Sequence, residues 1–352
     1  MVYCRRCGAQ LEENACFCHK CGTQVIIIYA PSTTLKPNRK NHVLLMAVGL
    51  MIILVLSATI AVFLAVPSGY WSFSKPYQDS APNVCTLNLN FETDIGEVNI
   101  ISQKVGGNNL LLDVSGSGSG PSLEERPPVN VAFNNQTRGD VLDVSVKVTL
   151  EDTYLPMAHL DCTIYVDPVL NLNLNVTSHN GKVSFLANQT TTIQSLRLQT
   201  INGEVNTHLG KDIVITGDIA LKTSVGTVNY CMNETLITAN CTLTLAATTG
   251  EINIDITQTR ASQGNLLVDT ETTTGAINIG LVIDGSIAAK VTSELPNTLG
   301  DINLHLNNFI GAKTQVQSIN YPATGNIEIS NRVNSIGNIN ISANYRTNII
   351  AN

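Results

Sequence analysis

The sequence predicts an all-β protein: a single-stranded β-solenoid joined to one transmembrane helix and a small N-terminal zinc ribbon. Three observations carry that prediction. A short phrase (Gly, a variable residue, Val or Ile, usually Asn, usually another apolar residue) begins at Gly96, Gly181, Gly203, Gly226, Gly250, Gly275, Gly300, Gly325 and Gly337. The 24 residues from Val43 to Val66 carry no charge. Two Cys-x-x-Cys-Gly knuckles, Cys4 to Gly8 and Cys18 to Gly22, open the chain.

At the N-terminus, ten residues separate Cys7 of the first knuckle from Cys18 of the second. Paired CxxC motifs this close together suit tetrahedral Zn²⁺ held by four thiolates, so Cys4, Cys7, Cys18 and Cys21 are the candidate ligands. Four thiolates leave no open coordination position, which makes the zinc structural. Cys16 reads as a spare thiol rather than an alternate ligand, and His19 as solvent-facing. The stretch resembles the short zinc-ribbon modules at the N-termini of many prokaryotic membrane proteins, matching at Cys4, Cys7, Gly8, Phe17, Cys18, Cys21 and Gly22. That resemblance implies a zinc-stabilised knuckle over 1–25 and no fixed function. Residues 26–42 read as a cytoplasmic linker.

The uncharged span 43–66 would make a helix about 36 Å long, enough to cross a hydrocarbon core of about 30 Å. Lys36, Arg39 and Lys40 precede it and only Lys75 follows closely, so the positive-inside rule puts the N-terminus in the cytoplasm. That compartment keeps thiols reduced, which argues against a disulfide reading of the knuckles. Tyr70, Trp71 and Phe73 would sit at the outer interface, within a juxtamembrane linker over 67–84. A cleaved signal peptide does not fit an apolar stretch this long that begins this deep in the chain.

The remainder, 85–350, is the repeat domain. From Gly181 to Gly325 the phrase recurs at spacings of 22, 23, 24, 25, 25 and 25 residues, a period that marks a stacked architecture. The residues two after each Gly are all Val or Ile, which suits a strand. Those four after are apolar except Thr207, so both positions point inward. The residue three after Gly is Asn at 99, 206, 229, 253, 278, 303 and 340, predicting an outward amide ladder. A second alternating run in each period, such as Leu243-Thr244-Leu245, completes a coil. Seven such coils would form a rod about 30 Å long, with Ile277 stacked between Ile252 and Ile302. The long interval from Gly96 to Gly181 points to a less regular cap up to about 175.

The repeat also resembles a family of bacterial and archaeal adhesin-like proteins of unknown function. Ser178-His179-Asn180-Gly181-Lys182-Val183, Thr248-Thr249-Gly250-Glu251-Ile252 and Thr298-Leu299-Gly300-Asp301-Ile302 carry that likeness over roughly 85–345. It implies a β-solenoid at the cell surface. Ser115–Ser122 and Pro127-Pro128 interrupt the pattern. Cys85, Cys162, Cys231 and Cys241 are even in number and compatible with two disulfides, or with buried thiols; Cys231 and Cys241 are near enough in sequence to staple one coil. Six Asn-x-Ser/Thr sequons, at Asn135, Asn175, Asn188, Asn233, Asn240 and Asn340, are about as many as chance supplies.

Charge divides the chain. Residues 1–42 hold six Lys/Arg against two Asp/Glu, and 67–352 hold fourteen against twenty-five. An acidic outer domain excludes nucleic acid as its partner. The six His are scattered, no G-x-S-x-G, P-loop or HExxH motif occurs, and the acidic residues do not cluster with basic ones. The chain therefore reads as a non-catalytic, single-pass membrane protein with residues 67–352 outside. Its partners would be the lipid bilayer, an envelope glycan or surface protein, and a cytoplasmic protein at the zinc ribbon. The alternatives are a transmembrane sensor relaying ligand binding to that ribbon, and a carbohydrate-active enzyme on a β-helix.

Overall fold

A computed structural model describes residues 2–3, 7–11, 20–21, 51, 68–121, 129–150, 158–260, 262–284, 287–296, 299–323 and 325–346. It divides into two units, Met1–Ala65 and Val66–Asn352.

In the first unit Val2–Tyr3 pairs antiparallel with Gln10–Leu11, and Gly8 takes a positive φ of 69° in the segment between them. The expected linker 26–42 lies outside the described residues. So does the expected span 43–66, apart from Met51, which is helical and exposed. Among the described residues no helix is long and apolar enough to cross a membrane.

The second unit is all-β among its described residues. It holds a 14-stranded and an 11-stranded sheet, whose inner faces share one apolar core. Alternation decides this. From Cys241 to Ala247 and along Ile252–Gln258 every second side chain is buried, and the same holds along most of the parallel strands. Nine strand pairs each give one strand to either sheet, and neighbouring pairs lie parallel. From one end they are Val141–Leu150 with Ala158–Val166, Thr86–Ile95 with Glu97–Ser102, Asn171–Asn180 with Val183–Ala187, Thr192–Asn202 with Val205–Leu209, and Ile219–Val225 with Val228–Asn233. Then come Cys241–Thr249 with Ile252–Gln258, Leu266–Thr274 with Ile277–Asp284, Gly325–Ile336 with Ile339–Arg346, and Ile287–Glu294 with Ile302–Asn307. Nine pairs span eight steps, about 38 Å at the usual strand spacing.

Glycine sets the corner between the two strands of every pair except Val141–Leu150 with Ala158–Val166, whose connection 151–157 contains none. Gly250 and Gly275 have φ of 142° and 143°, and a Cβ on Gly275 would overlap the carbonyl oxygen of Gly250. Both the backbone conformation and the close approach of successive corners therefore demand glycine. Buried corner hydroxyls bind the same carbonyls: Thr200 donates to Gly181 at 3.0 Å and Thr223 to Gly203 at 3.1 Å.

Chain order and spatial order part at both ends. The pair 141–166 lies outside the pair 86–102, although it follows it in sequence. The last pair, 325–346, slots between 266–284 and 287–307. Ile277 thus has Ile252 on one side and Ile339, not Ile302, on the other. The buried side chain of Asn331 keys this insertion. It accepts from Thr270 at 2.7 Å on one side and donates to the Thr292 carbonyl at 3.3 Å on the other. The 25-residue interval ending at Gly325 is accordingly coincidental. Gly325 opens a strand of the 14-stranded sheet, beside Ile287, and Gly337 holds the corner.

Antiparallel strands flank the stack. Val129–Arg138 closes one end of the larger sheet, and Gln315–Ser318 with Phe309–Ala312 the other. Leu110–Pro121 and then Ser68–Asp79 extend the smaller sheet. Residues 68–79 are therefore a twelve-residue strand rather than a linker. Trp71 is buried, not interfacial: it packs on the Gly/Ser run, where a Cβ on Gly118 would come within 2.6 Å of its Nε1. That run of small residues makes room for the single Trp of the chain.

Candidate ligand-binding face

The outer face of the 11-stranded sheet carries the predicted ladder. Asn229 donates its Nδ2 to Asn206 Oδ1 at 2.6 Å, Asn253 to Asn229 at 2.8 Å, and Asn278 to Asn253 at 2.8 Å. Asn340 donates to Asn278 at 2.7 Å and Asn303 to Asn340 at 2.9 Å. Six amides thus form five unbroken rungs. The ladder stops at Ser184, which lies between Asn206 and Asn99 and bonds Asn99 instead.

Two residues further along each strand lies a second outward row, running Leu186, His208, Cys231, Asp255, Gly280, Ser342, His305. Between the two rows runs a groove of about 700 Å³ along the stacking direction. Its floor is the backbone over the buried Phe185, Tyr230, Ile254, Ile279 and Ile341. Gly280 has no side chain and widens the groove between Asp255 and Ser342.

This row brings His208, Cys231 and Asp255 together from three different strands; each lies five residues after the glycine of its phrase, so the register that predicts the Asn row sets them side by side as well. Burial, and after it the Asp255 carboxylate, pushes the Cys231 thiol above its usual range. That shift favours the thiol over the nucleophilic thiolate. Among the described residues no group of three or more His, Cys, Asp or Glu is placed to hold a metal ion. His159 lies 3.3 Å from Asp161 and His179 3.7 Å from Asp94, both pairs well exposed.

Of the zinc candidates, Cys7 is exposed and Cys21 half-buried. Cys4 and Cys18 lie outside the described residues. The suggested staple between Cys231 and Cys241 is not formed. Cys231 faces outward on the smaller sheet, Cys241 is buried in the larger, and both are free thiols, as are Cys85 and Cys162. Among the sequons, Asn135, Asn175 and Asn340 spend their amides on Asp79, Asn90 and Asn278, while Asn188, Asn233 and Asn240 are exposed.

A second amide cluster on the larger sheet escaped the sequence reading. Asn173 donates to Asn88 at 2.9 Å, Asn175 to Asn90 at 2.7 Å, and Asn88 to Asp143 at 2.8 Å. With Arg197 and Gln136 they line a groove of about 930 Å³. The signal was present: Leu87-Asn88-Leu89-Asn90 and Leu172-Asn173-Leu174-Asn175 share one pattern and lie in register.

No family model and no curated protein matches the chain. Solved structures similar to it include two described as adhesion-type proteins. One is a putative cell adhesion protein from Clostridium sporogenes, 14% identical, with a TM-score of 0.36 over 78% of this chain and 100% of that one. The other is a putative adhesin from Bacteroides fragilis, 12% identical, with a TM-score of 0.36 over 77% of this chain and 97% of that one.

Proposed function

We propose that the protein is a non-catalytic, membrane-anchored surface protein, and that the groove-bearing face of its smaller sheet makes the adhesive or scaffolding contact. On this reading the strand pairs are coils of a β-solenoid. Residues 43–66 anchor the chain, 67–352 lie outside the cell, and Cys4, Cys7, Cys18 and Cys21 hold a structural zinc in the cytoplasm.

The observation that carries the reading is the unbroken amide row beside an open groove. A repeated polar row over a rigid floor is a contact surface that orders little on binding, so association costs little conformational entropy. The anchor rests on the charge bias around 43–66. The zinc reading is supported by the short antiparallel pairing of Val2–Tyr3 with Gln10–Leu11, which brackets Cys4 and Cys7.

Co-sedimentation of the purified full chain with cell-envelope fragments tests the binding face. Ser342→Tyr, which plugs the groove, should reduce the bound fraction, whereas Thr244→Tyr on the outer face of the larger sheet should not. Equal binding by all three proteins would refute the assignment of this face.

A further inference from the structure

We infer that the groove takes a neutral, extended β-linked glycan, running parallel to the stack and hydrogen-bonded to the amide row; this rests on the binding-face reading above. The first ground is hydrogen-bonding capacity. Each side-chain amide offers two N–H donors and two acceptor lone pairs. An internal rung such as Asn253 uses one donor toward Asn229 and one lone pair toward Asn278. One N–H and one lone pair per rung remain for a ligand, the complement of a hydroxyl that both donates and accepts.

Spacing is the second ground. The rungs repeat at the strand separation, about 4.8 Å. An extended β-1,4-linked hexopyranose chain advances per sugar by nearly that step and turns each sugar over relative to the last, so the same edge recurs every two sugars, close to every second rung. An extended peptide advances about 3.4 Å per residue and presents one face every two residues, out of phase with the row. The groove floor also offers no unpaired backbone edge to a peptide strand, because its strands are bonded on both sides from Val205–Leu209 to Ile339–Arg346.

Charge is the third. Glu204, Asp255 and Asp301 are exposed on this face, and the chain carries a formal charge of −7. A polyanionic glycan would be repelled.

The test is calorimetric titration of the purified full chain with β-1,4-linked glucose oligomers. The hexamer should bind at least about tenfold more tightly than the dimer, since it reaches more rungs. Ser342→Tyr should weaken hexamer binding by about tenfold or more, and Thr244→Tyr should leave it unchanged; both positions are outward, so neither change disturbs the core. Asn253→Leu should also weaken it, with circular dichroism reporting whether the fold survives. Hexamer binding that Ser342→Tyr leaves intact would overturn the site. Binding of polygalacturonate or of a Thr-Gly repeat peptide in place of the hexamer would overturn the ligand class. Envelope binding that is lost in Ser342→Tyr, with no affinity for the hexamer, would sink the glycan and leave the binding face standing. Absence of both would sink the two together.

Discussion

Asn340 donates its side-chain amide to Asn278 at 2.7 Å, across 62 residues of sequence. The strand pair between them in sequence, 287–307, stands beyond Asn340 and joins the row only through Asn303. A single hydrogen bond therefore reports the order in which the chain is stacked.

That order can be read with engineered disulfides. Positions 278 and 340 are direct cross-strand neighbours, about 4.8 Å apart, whereas 278 and 303 are two steps apart, about 9.6 Å. Asn278→Cys with Asn340→Cys should cross-link under mild oxidation. Asn278→Cys with Asn303→Cys should not, and the opposite result would restore the sequential stack.

Ile277 is fully buried and Asn278 faces out. Ile277→Asp places an unpaired charge between Ile252 and Ile339 and should cost several kcal/mol. Asn278→Asp loses its donor to Asn253 and should cost roughly 1–2 kcal/mol. Urea melts of the full chain would compare them, and equal losses would contradict the alternation.

Thr207 breaks the apolar pattern four residues after Gly203. It faces inward, and its Oγ1 is buried without a hydrogen-bond partner. Thr207→Val keeps the shape and removes the desolvated hydroxyl, so the protein should gain about 1 kcal/mol. A lower urea midpoint for the variant would mean that the hydroxyl is satisfied in solution.

Burial, aided by the Asp161 carboxylate, pushes the Cys162 thiol from 9.0 up to about 12. Burial likewise raises Cys241 from 9.0 to about 11, with Asp218 adding to the effect. The unfolded chain loses these protons near pH 9 while the folded chain keeps them. Above that pH the unfolded state binds fewer protons, so stability is complete below about 9 and falls as pH rises toward 11–12. Cys162→Ala should lower stability at neutral pH and flatten the alkaline decline. An unchanged slope would mean that Cys162 is not buried as a thiol.

The zinc assignment predicts that Cys18→Ser abolishes tight Zn²⁺ binding by the full chain, because four thiolates supply most of the folding free energy of so small a module. Cys16→Ser should retain it. Metal content measured after dialysis against a weak chelator separates the two, and equal retention would break the ligand set.

The sequence by itself determined what is local and periodic. Alternation placed Val205, Ile252 and Ile277 inside and Asn206, Asn253 and Asn278 outside, because a strand turns successive side chains to opposite faces. The recurring corner glycine was legible because, from Gly96 to Gly275 and again at Gly337, both φ and the approach of the neighbouring corner exclude a Cβ. Stacking order was not legible, because Ile302 and Ile339 carry the same phrase and fit beside Ile277 equally well. Only the tertiary structure decided between them, through Asn331 seated among Thr270, Thr292 and Ser293. The row of His208, Cys231 and Asp255 was legible in principle, since each lies five residues after its phrase glycine in three consecutive repeats. What the phrase could not encode is which pair stands beside which at the two ends of the stack, because that choice lies in contacts between segments far apart in the chain.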